Sequence, residues 1–543
     1  MASKDALIRS LGSVDGKNYQ RYKELAPFYE LDGMTLYIDR IQNDPQSASA
    51  MRLRVSFAKA GFPDDTHDTE LKEIALRDLI ARRFWESCRV FAKGGDRGGT
   101  ISIPRPGQEI LERSCVVMSK TFIEVRFTAS LPAAGKNAAG RAAVRMIAED
   151  LTEIAKASLF FDSYKGSKLY NHLNTLITSR TIRSSLRERG LAAFVADGSV
   201  LPRREDGLAP MIGAVPFTSP EELRTSFVTA DGRTVSGMGI PEGLTAVIGA
   251  TGHGRTVLID SLSSGVHDHI PGDGRELVIT DGDAVAISRD IGRVVKSVDV
   301  SMFIADPKRD VRCLSDDSAD DALSSAASAS EAIEIGCRVL IADDTDVNGG
   351  MLYFDRRIAE MIPEGDETLI PISKIARMCS GVSFIIACRH GDIADAADNV
   401  IIMSGHTAAG ALVRKRDKEE EFRMPAARLP MAKNMDLRKG RKDVHSMPLS
   451  SSKIEIGERI ITLPYPLKSM ERTAAVADAM VTAKEMMDGS LTLKEVAEIS
   501  EEMFRKRAGS ADENIGPDMA AFRKYDIAMV INRHPDIVMA QRK

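Results

Sequence analysis

A glycine-rich segment, Gly249–Thr256, combines residue types and spacing that suit phosphate chemistry. It follows an apolar run, Leu244–Ile248, and it precedes a segment whose apolar residues recur at helical spacing. The pattern is that of G-x-x-x-x-G-K-[ST], with Arg255 at the lysine position. Backbone N–H groups of such a loop, together with the N-terminus of the helix behind it, bind phosphate oxygens. The segment therefore predicts a phosphate-binding loop between a strand and a helix.

Nucleotide phosphates and Mg²⁺ are the ligands expected at this loop. The hydroxyl of Thr256 is expected to coordinate Mg²⁺, and Arg255 keeps a positive charge near the phosphates. However, a planar guanidinium is broader than an ammonium group, so this replacement is not conservative. The alternative interpretation is an ordinary glycine-rich turn with an exposed arginine. The residues predicted to bind the nucleotide are Gly249, Gly252, His253, Gly254, Arg255 and Thr256.

A second informative stretch is the apolar run from Cys337 to Ala342, which ends in Asp343 and Asp344. A strand with this ending suits a nucleotide site, because Asp343 would orient Mg²⁺ or its waters. Asp344 would then occupy the position of the carboxylate that activates the attacking water. The alternative is a parallel strand that simply turns at its acidic end. The position of this stretch after the glycine-rich loop favours the functional interpretation.

A third apolar run, Val382–Ala387, leads to His390 just beyond its end. A histidine at the end of a buried strand could reach the terminal phosphate of a nucleotide. The alternative is a surface histidine without a ligand.

Composition favours a large soluble protein of several domains. The chain has 543 residues, of which 43% are hydrophobic and 28% charged, and the net charge of −5 gives no general basic surface for nucleic acid. Its six cysteines show no C-x-x-C spacing, which argues against a zinc site or a disulfide framework. The first residues lack the apolar core of a signal peptide, and no run is long enough to span a membrane. These features predict a cytoplasmic protein without membrane contact.

Two polar segments remain open to two interpretations each. The turn Pro104–Glu109 could be a surface turn or a ligand contact. The basic segment Arg438–Lys442 could contact phosphates of RNA or another nucleic acid, or it could belong to a linker.

Several further segments, in order along most of the chain, resemble the predicted ATPases of the ABC class. That family includes a subunit of the trypanosome mitochondrial RNA-binding complex. The segments that carry the resemblance are Gln42–Pro45, Arg105–Arg113, Leu131–Gly135, Phe194–Arg203, Gly237–Gly243 and His269–Glu276.

The resemblance implies an α/β fold with an ABC-type P-loop core, a flanking α+β N-terminal domain and a small α+β C-terminal domain. The expected divisions are an N-terminal domain at 1–160, the P-loop ATPase domain at 161–435, a basic and serine-rich linker at 436–452, and a mostly helical domain at 453–543. ATP and Mg²⁺ are the implied ligands. Because ABC cores usually act in pairs, a homodimer is implied as well, and RNA is a possible further partner.

By the same resemblance, Asp343 serves the metal, Asp344 takes the catalytic-base position and His390 falls near the switch position. The chain departs from the family at three chemically demanding places. Arg255 replaces lysine, Asp344 is one methylene shorter than the usual glutamate, and Asp320-Asp321-Ala322 stands where a Ser-Gly-Ser-type signature is expected. A misplacement near 1 Å costs about 100-fold in rate, and carboxylates repel phosphate. The sequence therefore predicts either an ATPase with weakened hydrolysis or a scaffold that binds nucleotide without efficient turnover.

Overall fold

The computed structural model describes residues 2–542 except 92–98, 206, 306–307, 353–360, 362–367, 379–380, 415–423, 466, 468 and 513–514. The chain divides into two compact units, each built from three stretches of sequence. The first unit comprises Met1–Leu176, Met470–Ala475 and Met503–Ala521, and the second comprises Ile177–Ser469, Val476–Glu502 and Phe522–Lys543.

An antiparallel sheet forms the centre of the first unit. Its order in the described residues is β1-β2-β3-β7-β4, with β6 also paired to β7. Burial alternates along β3, as expected of a strand with one face on the core. The strands of this unit are β1 Phe28–Leu31, β2 Met34–Arg40, β3 Ser49–Ser56, β4 Thr100–Ser102, β5 Glu109–Ile110, β6 Val116–Met118, β7 Phe122–Ser130, β8 Ala133–Ala134 and β9 Asn137–Ala138.

Helices account for the rest of this unit's regular structure. The longest of those that begin in it is the 22-residue helix Glu70–Phe91, which buries Ile74, Ile80 and Phe84. The helices are α1 Lys4–Ser13, α2 Phe57–Ala60, α3 Glu70–Phe91, α4 Gly140–Val144, α5 Leu151–Ser158 and α6 Gly166–Leu186, with a π-helical turn at Arg145–Asp150 and 3-10 turns at Tyr19–Glu24, Asp64–Thr66 and Phe161–Ser163.

A buried ionic network fixes the turn at Pro104–Glu109. Arg82 donates hydrogen bonds to the carbonyl oxygens of Gly107, at 2.5 Å, and Glu109, at 2.8 Å. Arg113 is 2% exposed and pairs with Asp78 and with Glu471, whose Oε1 lies 3.1 Å from its Nε. Because the arginines satisfy carbonyls that the turn leaves unpaired, this part of the Arg105–Arg113 segment has a structural role.

A mixed sheet lies at the centre of the second unit, with order β16-β20-β22-β13-β23-β24 among the described residues. The pairings are parallel except β23 with β24. Its central strands are continuous apolar runs, as expected where both faces of a parallel sheet are covered. Its strands are β13 Leu244–Gly249, β16 Ala284–Ala286, β20 Val339–Asp343, β22 Ser383–Ala387, β23 Asn399–Ser404 and β24 Thr407–Val413.

Smaller antiparallel sheets complete the second unit. One of them has the order β11-β12-β10-β15, and another has the order β26-β27-β28. The other pairs are β17-β19, β18-β21 and β25-β29. The remaining strands are β10 Leu191–Ala196, β11 Arg224–Val228, β12 Thr234–Pro241, β14 Asp268–His269, β15 Val278–Thr280, β17 Val295–Val298, β18 Ile304–Ala305, β19 Leu314–Asp316, β21 Thr368–Leu369, β25 Arg428–Met431, β26 Ser446–Ser450, β27 Lys453–Ile456, β28 Arg459–Thr462 and β29 Val538–Gln541.

The later helices of the chain are α7 Arg255–Ser264, α8 Asp321–Glu334, α9 Gly349–Leu352, α10 Ile372–Met378, α11 Gly391–Ala396, α12 Met470–Met486, α13 Leu493–Gly509 and α14 Lys524–Arg533, with 3-10 turns at Arg187–Arg189 and Glu221–Leu223. On α7, Leu258 and Leu262 are fully buried in the core that covers the central sheet. The mixed α/β architecture confirms the predicted fold class, whereas the domain boundaries given by the sequence stay predictions.

Candidate functional site

The carboxyl ends of β13, β22 and β20 finish level at one edge of the central sheet. Val247 of β13 pairs with Ala387 of β22, and Ala387 pairs in turn with Asp343 of β20. Three segments therefore leave the sheet side by side. They are the glycine-rich loop, the acidic residues at the end of β20 and the segment after β22. Ligands of open α/β sheets bind at this edge.

Two glycines of the loop sit where a side chain would not fit. Gly249 has φ of +154°, and a Cβ there would lie 2.5 Å from the carbonyl oxygen of Met403. Gly254 has φ of +95° and immediately precedes α7, which begins at Arg255. Such a backbone directs N–H groups into the loop in front of a helix N-terminus, the arrangement that binds phosphate.

The two residues predicted to serve Mg²⁺ have different surroundings. Thr256 lies exposed in the first turn of α7. Asp343 is 2% exposed, and its Oδ1 accepts hydrogen bonds from the backbone N and the hydroxyl of Thr345, at 3.0 and 2.9 Å. Its Oδ2 is buried without a hydrogen-bond partner in the described part of the chain. A buried carboxylate oxygen of this kind suits Mg²⁺ or a water bound to it.

Arg255 contacts the end of β22. Its Nη1 donates a hydrogen bond of 2.7 Å to the carbonyl oxygen of Cys388. Burial raises the pKa of the Cys388 thiol to about 11, so this thiol stays protonated near neutral pH. The hydrogen bond from Nη1 holds one of the five N–H groups of the guanidinium on the backbone of the segment after β22.

Asp344 forms an ion pair that the sequence analysis did not anticipate. Its Oδ2 accepts hydrogen bonds from the backbone N and from Nε of Arg389, at 3.1 and 3.0 Å. The side chain of Asp344 is 7% exposed and that of Arg389 is 56% exposed. These contacts hold one oxygen of the Asp344 carboxylate, so that oxygen is not free to contact a water. The signal that could have revealed Arg389 is its place directly after the apolar run of β22, but only the pairing of β20 with β22 makes it a neighbour of Asp344.

The two predicted histidines lie at the same edge of the sheet. His390 is exposed and immediately precedes α11. His253 lies within the loop, where its Nδ1 accepts a hydrogen bond of 3.0 Å from the backbone N of Gly405. The roles of both histidines toward a nucleotide stay predictions.

The acidic residues in the signature position are engaged within their own chain. Asp320 caps α8, because its Oδ1 accepts a hydrogen bond of 2.7 Å from the backbone N of Leu323. Asp321 accepts a hydrogen bond of 3.1 Å from Nδ2 of Asn348, and its Oδ2 lies 3.6 Å from Nη1 of Arg289. A carboxylate therefore already satisfies the N-terminus of α8, where a signature segment would present N–H groups to phosphate.

Residues from the segments at 194–203 and 269–276 support α7 from behind. Arg275 is 3% exposed; its Nε donates a hydrogen bond of 2.7 Å to the carbonyl oxygen of Leu201, and its Nη1 lies 2.8 Å from Oδ2 of Asp260 on α7. Nε2 of His269 lies 3.3 Å from the carbonyl oxygen of Ser264, at the end of the same helix. These contacts fix the helix that presents the loop.

The basic segment Arg438–Lys442 forms an exposed turn. The backbones of Lys439 and Lys442 pair across it in an isolated antiparallel β-bridge. Two of its cations are paired locally, Arg438 with Asp436 and Lys439 with Glu455. These pairs reduce the positive potential that the turn offers to a polyanion.

The parallel sheet, the glycine loop before α7 and the buried carboxylate after β20 define a P-loop nucleotide-binding protein. Residues 165–438 match the family model of the P-loop domain of ABC-class ATPases, and residues 4–162 match the model described as the N-terminal part of an ATPase of the ABC class. The chain belongs to the family of ABC-class ATPases.

Individual relatives add little to this assignment. An uncharacterized protein of Methanocaldococcus jannaschii is 32% identical over 121 residues, which cover 21% of this chain and 27% of that protein. The chain therefore aligns with only about a quarter of that relative's length. A solved bacterial Atm1-family ABC exporter with ATP bound is 9% identical with a TM-score of 0.23, over 51% of this chain and 50% of the exporter chain. A similarity at this TM-score gives no information about the fold or the function of this chain.

In the described residues, none of the helices is long and apolar enough to cross a membrane.

Proposed function

We propose that this protein binds ATP together with Mg²⁺ at Gly249–Thr256 and hydrolyses it slowly. The observation that carries the proposal is the contrast between two adjacent carboxylates. Asp343 has a buried oxygen without a partner in the described part of the chain, whereas Asp344 is held by Arg389. Asp343 can therefore still serve the metal. Asp344, the carboxylate that would activate water, is occupied by Arg389.

Support for binding comes from the loop and from the acidic strand end. The backbone at Gly249 and Gly254 leaves room for phosphates, and the N-terminus of α7 adds favourable partial charge. When bound, Mg²⁺ would be held by Asp343 and Thr256, and it would neutralise charge on the phosphates. This ligand set fits the unpartnered oxygen of Asp343.

Support for slow hydrolysis comes from the residues that differ from the family pattern. Arg255 bonds to the carbonyl of Cys388, and Asp344 combines a short side chain with an ion pair. Asp320 caps its own helix rather than leaving N–H groups for a phosphate. The changes at Asp344 and Asp320 act on transition-state stabilisation more than on ground-state binding, which is why binding outlasts turnover.

A homodimer and a cytoplasmic location remain part of the proposal. The dimer is proposed from the paired action usual for ABC cores, and the cytoplasm from the pattern of cysteines. Binding of RNA through Arg438–Lys442 is a weaker proposal, because local carboxylates already pair two of its cations.

Calorimetric titration of the full chain with ATP, with and without Mg²⁺, tests the binding proposal. We expect Mg²⁺ to strengthen ATP binding. We expect Asp343→Asn to weaken ATP binding about 10- to 100-fold, and only when Mg²⁺ is present. Asp346→Asn is the matched control, because Asp346 lies nearby but is exposed. An absence of ATP binding by the folded wild-type protein would refute the proposal.

A further inference from the structure

The turn between β23 and β24 lies directly against the phosphate loop. Ser404 and Thr407 pair, and the two residues between them, Gly405 and His406, have φ of 58° and 67°. Positive φ at both central residues is the geometry of a tight two-residue hairpin. Because Gly249 pairs with Met403, this turn leaves the sheet beside the start of the loop.

His406 is the side chain that this turn places next to the start of α7. A Cβ on Gly254 would lie 3.5 Å from Nδ1 of His406 and 3.2 Å from its Cα. Gly405 meanwhile donates its backbone hydrogen bond to His253, so the turn and the loop are joined. The imidazole therefore borders Gly254, which directly precedes the N-terminus of α7 in the proposed phosphate loop.

The backbone of His406 is left-handed. That conformation is disfavoured for a residue with a β-carbon, and glycine or asparagine is the usual choice in such a turn. The turn therefore holds an imidazole beside the loop at some cost in backbone strain. An independent sign that an ionic ligand binds at this edge is the buried Oδ2 of Asp343, which is without a partner among the described residues.

We propose that the imidazole of His406 donates a hydrogen bond to a phosphate oxygen of the nucleotide at Gly249–Thr256. This inference rests on the proposed function. Since β22 with Arg389 lies on one side of β13 and β23 lies on the other, His406 approaches the phosphates from the flank opposite the acidic residues. It adds a donor at a loop whose own Arg255 is bonded to Cys388. It is a nucleotide-binding residue that lies outside the loop motif.

His406→Gly tests the proposal, because glycine removes the imidazole and also relieves the backbone strain. We expect ATP and ADP to bind about tenfold more weakly in calorimetry, the loss typical of a hydrogen bond to a charged group. We expect the unfolding midpoint of the nucleotide-free protein to stay equal or rise. Asp32→Gly is the matched control, since Asp32 has φ of 51° in the first unit and should leave nucleotide affinity unchanged. His406→Asn, which also suits the turn, should weaken binding in the same direction.

Two results would overturn the inference while leaving the proposed function intact. One is wild-type affinity for ATP in both His406 variants. The other is weaker binding accompanied by a lower unfolding midpoint, which would indicate a structural role. If the wild-type protein itself failed to bind ATP, the proposed function would fall first, and the two failures are thereby distinguished.

Discussion

Asp344 and Arg389 form an ion pair across the ends of two neighbouring parallel strands, with Oδ2 of Asp344 3.0 Å from Nε of Arg389. The pair occupies the carboxylate that the family pattern assigns to water activation. It provides a physical cause for the slow hydrolysis that we propose, because it holds an oxygen of the carboxylate in addition to the effect of the shorter side chain.

Release of this carboxylate should raise turnover. In Arg389→Gln the positive charge and the hydrogen bond from Nε are both lost, so an oxygen of Asp344 becomes accessible to water. We expect ATP turnover to rise about tenfold, a fraction of what a well-placed general base contributes. Arg389→Lys keeps a charge beside Asp344 and should show little change. Unchanged or lower turnover in Arg389→Gln would count against this explanation.

The lysine position of the loop offers a second test. One N–H of Arg255 is held by the carbonyl of Cys388, whereas a lysine presents a compact charge that is free of this contact. We therefore expect Arg255→Lys to bind ATP up to about tenfold more tightly in calorimetry. Arg255→Met, which removes the charge, should bind more weakly than wild type. Weaker binding in the lysine variant would show that the guanidinium is itself a good phosphate ligand.

Support of α7 by Arg275 is testable through stability. Arg275→Met leaves the buried carbonyl of Leu201 without its donor and removes the partner of Asp260. We expect the free energy of unfolding to fall by about 2 kcal/mol in denaturant titrations, as when a buried carbonyl is left without its hydrogen-bond donor. Arg187→Met, at an exposed position, should stay within about 0.5 kcal/mol of wild type. Equal stability of the two variants would contradict the role given to Arg275.

Acid sensitivity should depend on one buried histidine near the C-terminus. Burial lowers the pKa of His534 to about 4, below its ordinary value near 6.5. The unfolded chain takes up this proton first, so stability is lost as pH falls from about 6.5 to about 4. The loss from this group approaches about 3 kcal/mol at the low end of that window.

Unfolding free energies measured across that pH window should therefore separate wild type from His534→Gln. The variant lacks the titrating ring, so its stability should fall less steeply with acid. Parallel pH profiles for the two proteins would show that other groups account for the acid sensitivity.

The central strands and helix α7 could be predicted from the sequence, because each of them is marked by a local pattern of residues. Leu244–Ile248 is an apolar run that lies within β13, and the run Val382–Ala387 contains the whole of β22, as expected for strands covered on both faces. The alternation along Met34–Ile38 likewise marks a strand, which the structure extends to Arg40.

Relationships between separate elements could not be predicted in this way. Nothing in a single strand shows that β20 lies beside β22, so the pair of Asp344 with Arg389 was missed. The acceptor of Arg255 is a backbone carbonyl, which residue types do not reveal. Pairing of β25 with β29 joins Arg428–Met431 to Val538–Gln541, and such long separations leave no local pattern.

We propose that this protein binds a nucleotide but hydrolyses it slowly. The most direct measurement is ATP turnover by the wild-type chain at saturating ATP and Mg²⁺, with saturation verified by calorimetry on the same sample. We expect turnover of about 0.1 per second or less, on the order of a hundredfold below a typical enzyme. We also expect Asp344→Asn to change that rate little. Turnover near ten per second that is abolished by Asp344→Asn would show that hydrolysis is efficient and that Asp344 serves it.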